Sequence, residues 1–171
     1  MLKIYVNTWA NYNENGANGG EWIELPMTTF ELECRLDALA EKLGEDDAEF
    51  AIHDYEWSGH RFGRIDENQD ISELNDCVCE LDDLDEYDQR KLLSILEAVG
   101  GKWMEAINDL DDYGFYDGCD MDDVARELVL DYIDKDTPEI FKQYFDYEAF
   151  ARDLQLEGNY TECYYGVLEF R

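Results

Sequence analysis

Residues 20–56 read GEWIELPMTTFELECRLDALAEKLGEDDAEFAIHDYE, and this stretch sets the fold class. GEWIELP alternates apolar and polar residues, the period of a half-buried strand, and Pro26 ends it because proline brings no N–H to a ladder. Thr28 or Thr29 then caps a helix running to about Leu43, where Gly44 stops it. Phe30, Cys34, Leu36, Leu39, Ala40 and Leu43 are its expected apolar face. An acidic turn of Glu45, Asp46 and Asp47 leads into EFAIHDYE at 49–56, which alternates again. A strand at 2–9, LKIYVNTW, precedes all of this, joined to it by the polar loop NYNENGANGG. Strand, strand, helix and strand predict a small α+β domain over residues 1–60.

Beyond that domain the periodicity changes. Ile71, Leu74, Val78 and Leu81 recur at helical spacing, and Tyr87, Leu92, Leu93, Ile95 and Leu96 define a second helix. Gly100 and Gly101 break it before a short helix in KWMEAINDL, so residues 61–108 read as a helical middle domain. Residues 109–171 read as α+β once more. Asp120 caps a helix through about residue 135, Thr137-Pro138-Glu139 starts another, and NYTECYYGVLEFR closes as a hairpin turning near Gly166. The expected architecture is an elongated α+β chain of three small domains.

Charge dominates the composition. Against 13 Lys and Arg stand 44 Asp and Glu, a formal −31 at neutral pH. Such a balance usually prevents collapse, but this chain is 45% hydrophobic and 14% aromatic, with only two prolines, so it has the means to fold. The excess is not a tail: residues 1–60 carry net −10, residues 61–108 net −8 and residues 109–171 net −13. Like charges four apart on a helix, as at Asp123, Glu127 and Asp131, cost roughly 0.2–0.5 kcal/mol per pair. Solubility needs a net charge of only about 2–8. Two explanations remain: a halophilic interior, where acidic surfaces hold water at high salt, or imitation of nucleic acid. Duplex DNA carries one charge per about 1.7 Å of axis. At that density the 31 charges correspond to a rod of roughly 50 Å, about 15 base pairs, and a head-to-head dimer to about 30.

Candidates for other chemistry are few. DLDDYGFYDGCD at 109–120 places Asp109, Asp111, Gly114, Asp117 and Asp120 at calcium-loop positions, but Tyr113 stands where a carboxylate is wanted and Asp120 where a bidentate Glu is. The alternative is a junction in which Asp120 caps the next helix. Cys77 and Cys79 lack histidine partners at zinc spacing and read as reduced thiols, as do Cys34, Cys119 and Cys163. His53 beside Asp54 lies on an alternating strand, where neighbours point to opposite faces, and reads as structural. No nucleotide loop, catalytic triad, secretory leader or membrane-length run is present in the sequence. The expectation is a cytoplasmic protein that is not an enzyme and needs no cofactor or metal.

PEIFKQYFDYEAFARDL at 138–154 resembles the antirestriction motif of the ArdA family, inhibitors of type I DNA restriction-modification enzymes encoded on conjugative elements. EFAIHDYE, ISELN at 71–75, DVAREL at 123–128, the opening KIYVNTWANYNENGANGGEWIELP and the closing GVLEF are similar to family segments in the same order. The resemblance implies a curved, dimeric subunit of three domains whose carboxylates imitate phosphates. Its partner is then the methyltransferase core of modification and specificity subunits, with no direct binding to nucleic acid and no membrane. The phosphate-mimic candidates are Glu45, Asp46, Asp47, Asp82, Asp83, Asp85, Glu86, Asp109, Asp111, Asp112, Asp117, Asp122, Asp123, Glu127, Asp131 and Asp134. Within the motif, Ile140, Phe141, Tyr144, Phe145, Tyr147 and Phe150 are expected mostly to pack, while Asp146, Glu148 and Asp153 face a partner. Part of the aromatic set is a candidate dimer contact. The alternatives are a mimic aimed at another defence nuclease, or an acidic calcium-binding regulator.

Overall fold

β1 (Leu2–Thr8) is the central strand of an antiparallel sheet in the order β2-β1-β3, with β2 at Glu21–Leu25 and β3 at Phe50–Trp57. The structure is a computed structural model describing residues 1–132 and 137–171. Leu2, Ile4 and Val6 are fully buried, as are Ile23 and Leu25 opposite them, while Lys3 and Tyr5 alternate onto the wetter face. A register shift between Tyr5 and Val6 interrupts the pairing with β3. α2 (Thr29–Leu43) begins with a capping box: the Thr28 side chain accepts from the Glu31 N–H and the Glu31 carboxylate accepts from that of Thr28. Gly44 ends it in the left-handed conformation expected of a C-cap glycine. α3 (Ile71–Asp83) packs against β2 and α2, and the Asn75 side chain pairs with both the N–H and the carbonyl of Met27 at 2.9 Å each. Residues Met1–Leu84 form one compact unit.

Two expectations fail in this unit. The asparagine-rich loop contains α1 (Trp9–Asn15), because Thr8 Oγ1 caps it at the Asn11 N–H and a side-chain chain from Asn7 through Asn11 to Asn15 staples it. The apolar face assigned to α2 is also wrong in part: Leu32 and Leu39 are buried, whereas Phe30 and Cys34 are exposed. At about 100° per residue, position 30 lies roughly 200° from position 32, on the opposite side of the helix.

Asp85–Arg171 form the second compact unit. α4 (Glu86–Ala98) and the short α5 (Trp103–Ala106) are followed by a 3-10 turn at Leu110–Asp112 and by β4 (Tyr113–Asp117). Then come α6 (Met121–Tyr132), α7 (Glu139–Tyr144), α8 (Tyr147–Glu157), β5 (Tyr160–Cys163) and β6 (Gly166–Phe170). The sheet order is β4-β6-β5, all antiparallel. Met121, Val124, Ala125, Ala151, Leu154 and Val167 make a core on one face, with Tyr116 at its margin. Phe115, one residue along, points the other way onto α4, where its ring lies 5.4 Å from that of Tyr87 and its carbonyl accepts from the Tyr87 hydroxyl. The unit is a three-layered α/β/α arrangement. Of the helices expected in residues 61–108, α3 therefore belongs with the first unit, and α4 and α5 with the second.

β4 is the strand missed in the sequence. Its residues run through the acidic stretch 109–120, and register with β6 (Phe115 opposite Leu168, Tyr116 opposite Val167) makes it extended. The hairpin turn falls at Tyr164 and Tyr165, and Gly166 already opens β6. A Cβ on Gly166 would stand 2.1 Å from the Tyr116 carbonyl oxygen, which is backbone and fixed by the sheet. Gly166→Ala is expected to cost about 1–3 kcal/mol by overpacking, read as a lower urea midpoint with an unchanged slope. The expected end of the α6 helix near residue 135, and Asp134 with it, lie outside the described residues.

Candidate functional surface

No described Asp or Glu is buried, so the excess charge stands on the surface. Helix phase arranges much of it in rows. In α3, Ile71, Leu74, Val78 and Leu81 are buried at spacings of three, four and three, and Glu73, Asp76, Glu80 and Asp83 repeat that spacing on the exposed side. In α2, Glu33, Asp37 and Glu41 are exposed at intervals of four, and in α6 so are Asp123, Glu127 and Asp131. Such residues are about 5–6 Å apart at their Cβ atoms.

The basic residues neutralise other positions. Lys3 pairs with Glu24 and Arg35 with Glu21, each at 2.5 Å, and Arg90 bridges Glu86 and Asp117. Among the described residues no ion pair reaches any member of the three rows. The thiols next to the rows register the resulting field. Cys79 is pushed up first by burial and then by Asp76, Asp83, Asp82 and Glu80; Cys119 is pushed up by burial and then by Asp123 and Glu127. Cys77 shifts the same way, and burial takes Cys163 to about 11, so these thiols are held protonated at neutral pH.

The carboxylates singled out in the sequence divide into two kinds. Asp46, Asp47, Asp82, Asp83, Asp109, Asp111, Asp112, Asp123, Glu127 and Asp131 are exposed. Glu45 is half-buried and accepts from Thr8 Oγ1 at 2.6 Å, Asp85 caps α4 through the Asp88 N–H, Asp122 is half-buried, and Glu86 and Asp117 are tied to Arg90. Those tied to Arg90 present a smaller net charge to a partner than their number suggests. Glu33, Asp37, Glu41, Glu73, Asp76 and Glu80, not singled out earlier, are exposed and in no ion pair among the described residues, though Glu73 accepts from the Gln69 carboxamide at 3.3 Å. Their three- and four-residue spacing was the signal.

The stretch 109–120 does not wrap around a point. Tyr113–Asp117 is extended and paired, Asp117 is occupied by Arg90 at 3.0 Å, and Asp120 Oδ1 accepts from the Asp123 N–H at the start of α6. His53 is structural, its side chain only 3% exposed. It stacks on Tyr12 at 3.7 Å, meets Trp9 edge-on, and places Nδ1 2.9 Å from a Glu67 carboxylate oxygen.

The motif residues line the junction of α7 and α8. Asp146 caps α8 by accepting from the Ala149 N–H, and Phe145 lies against the rings of Tyr147 and Phe150 at 5.0 and 5.7 Å. The Arg126 guanidinium sits over the Tyr147 ring at 4.4 Å. Glu148 and Asp153 are exposed, as expected. Ile140 and Tyr144 were expected to pack, but they are 58% and 83% exposed. α7 spans only Glu139–Tyr144, too few turns to bury a complete apolar stripe. Together with Leu130 and Phe145 they give this unit an exposed apolar border beside a depression of about 510 Å³, lined also by Arg126 and Lys142.

Among the described residues no helix is long and apolar enough to cross a membrane. A family model described as "Antirestriction protein (ArdA)" matches residues 4–169. No curated protein matches the chain.

Proposed function

The chain belongs to the ArdA antirestriction family, and from that premise we propose that it blocks type I restriction-modification enzymes by filling their DNA groove with carboxylates in place of phosphates. The observation that carries this is the set of bare acidic rows on α2, α3 and α6. With a rise of about 1.5 Å per residue, a charge every three or four residues falls every 5 Å or so. One strand of a duplex carries a phosphate per about 3.4 Å. A single row thus reaches roughly two-thirds of the linear charge density of one strand, and among the described residues no ion pair neutralises it.

The partner in this reading is the methyltransferase core of modification and specificity subunits, whose groove is basic because it holds DNA. An inhibitor that offers charge and shape without base edges acts across different recognition sequences. Tyr144, Phe145, Tyr147 and Phe150 are candidates for a contact between two copies, and a homodimer doubles the charged length. The site of action is the cytoplasm, where incoming mobile DNA meets restriction, and the chain performs no chemical step there.

A displacement assay tests the proposal. A labelled duplex bound to a purified type I methyltransferase core should be released by stoichiometric protein at about 0.1 M salt, with affinity falling steeply as salt rises. An unchanged duplex signal at tenfold excess of the protein would sink the type I reading. Release of DNA from a different defence nuclease, tested alongside, would redirect it.

A further inference from the structure

Phe30 is the least expected residue on the surface of the first unit. It is 75% exposed on α2, and it stands on the acidic side of the helix, in line with Cys34, Asp37 and Glu41 and flanked by Glu33. The buried residues Leu32 and Leu39 occupy the opposite side. The ring is therefore not a displaced core residue; it heads the row of carboxylates. With Met27, Glu31, Cys34 and Arg35 it lines a shallow depression of about 360 Å³. Arg35, which shares this depression, pairs with Glu21 at 2.5 Å, and among the described residues no ion pair reaches Glu33 or Asp37.

We propose that Phe30 is an apolar anchor by which the acidic face of α2 docks on a basic protein surface, its ring entering a hydrophobic recess while Glu33, Asp37 and Glu41 meet the surrounding cations. The inference rests on the reading of the chain as an occupant of a DNA groove. Charge complementarity identifies the partner: three bare carboxylates on the same face repel another acidic protein and a second copy of this chain alike, and attract a basic one. An aromatic ring at the centre of such a contact adds affinity of a kind that salt does not screen. Duplex DNA has no equivalent, so Phe30 lets the protein outcompete the ligand it imitates.

The two sources of affinity separate in one experiment. Wild type, Phe30→Ala, Phe30→Leu and the triple variant Glu33→Gln, Asp37→Asn, Glu41→Gln are titrated against a type I methyltransferase core carrying labelled duplex, at several salt concentrations. Phe30→Ala should displace DNA about ten- to hundredfold more weakly, with the slope of log K against log salt unchanged and partial recovery in Phe30→Leu. The triple variant should instead flatten that slope. Equal displacement by wild type and Phe30→Ala overturns the anchor while leaving the groove reading intact. Failure of wild type itself to displace DNA overturns the groove reading and the anchor with it. Because the ring is solvent-exposed, Phe30→Ala should melt within about 1 °C of wild type, and sedimentation should find the same oligomer. A shift to a smaller oligomer would assign Phe30 to a contact between copies and overturn the proposal.

Discussion

The triple variant Asp76→Asn, Glu80→Gln, Asp83→Asn is expected to be more stable than the parent chain and a weaker inhibitor. These residues continue the row that begins at Glu73 on the exposed side of α3, and none is in an ion pair among the described residues. Removing three charges relieves the contacts 73–76, 76–80 and 80–83, each repulsive by roughly 0.2–0.5 kcal/mol. It also takes a carboxylate away from the negative end of the helix dipole, worth about 0.3–1 kcal/mol. The sum is a gain of about 1–2 kcal/mol, visible as a higher urea midpoint. Glu73 is retained because an acid in the first turn favours the helix. Against a methyltransferase core, three lost surface contacts at about 0.5–1 kcal/mol each weaken displacement of DNA roughly ten- to hundredfold. The salt slope should fall by as much as about 2–3 units, at 0.9 per phosphate equivalent. A variant that gains stability and keeps full activity would remove α3 from the proposed contact. Any one substitution alone should change little, since the effect is distributed.

The largest loss of stability is expected from Asn75→Ala. Asn75 is 2% exposed, and its carboxamide satisfies both backbone groups of Met27, the middle of the three residues between β2 and α2. Two hydrogen bonds disappear and a partly buried N–H and C=O are left without them, for about 2–4 kcal/mol in total. That is a large share of a typical stability of about 5–15 kcal/mol. Equilibrium unfolding in urea measures it; a loss below about 0.5 kcal/mol would mean that water replaces the carboxamide. Asn75→Asp should also destabilise, because the carboxylate cannot donate to the Met27 carbonyl.

What the sequence disclosed depended on which force held each element. The strands at 2–9, 20–26 and 49–56 and the helix from Thr28 to Gly44 were readable because alternation, a capping box and a stop glycine are local signals. α1 was not, because asparagine side chains and Thr8 stabilise it where apolar periodicity is lacking. β4 was hidden for another reason: YGFYD gains its strand conformation from β6, more than fifty residues later, within an acidic stretch that suggests a turn. The misplacement of Phe30 was avoidable. Helix phase puts 30 and 34 opposite 32 and 39, so Phe30 and Cys34 do not share the face of Leu39 on which they were expected, and Leu32, absent from that expected face, is buried. The acidic candidates at 45–47, 82–86 and 109–112 stand out by density, and those at 123, 127 and 131 by their spacing of four on one helix. The rows on α2 and α3 lie at lower density, and the structure shows which described carboxylates the described basic residues pair with.

The carboxylates of this surface are not equally free to change. Asp70, Asp85, Asp120 and Asp146 each accept a backbone N–H at a helix start, from Glu73, Asp88, Asp123 and Ala149. Mutating such a cap to alanine costs about 0.5–2 kcal/mol, whereas neutralising Asp76 or Glu80 alone is expected to cost nothing. A lineage released from the need to inhibit therefore has a direction in which to drift: its mid-helix acids are lost first, one neutral step at a time, while the four caps persist. An acidic helix-start pattern without acidic helix faces would be the fossil of a discarded mimic.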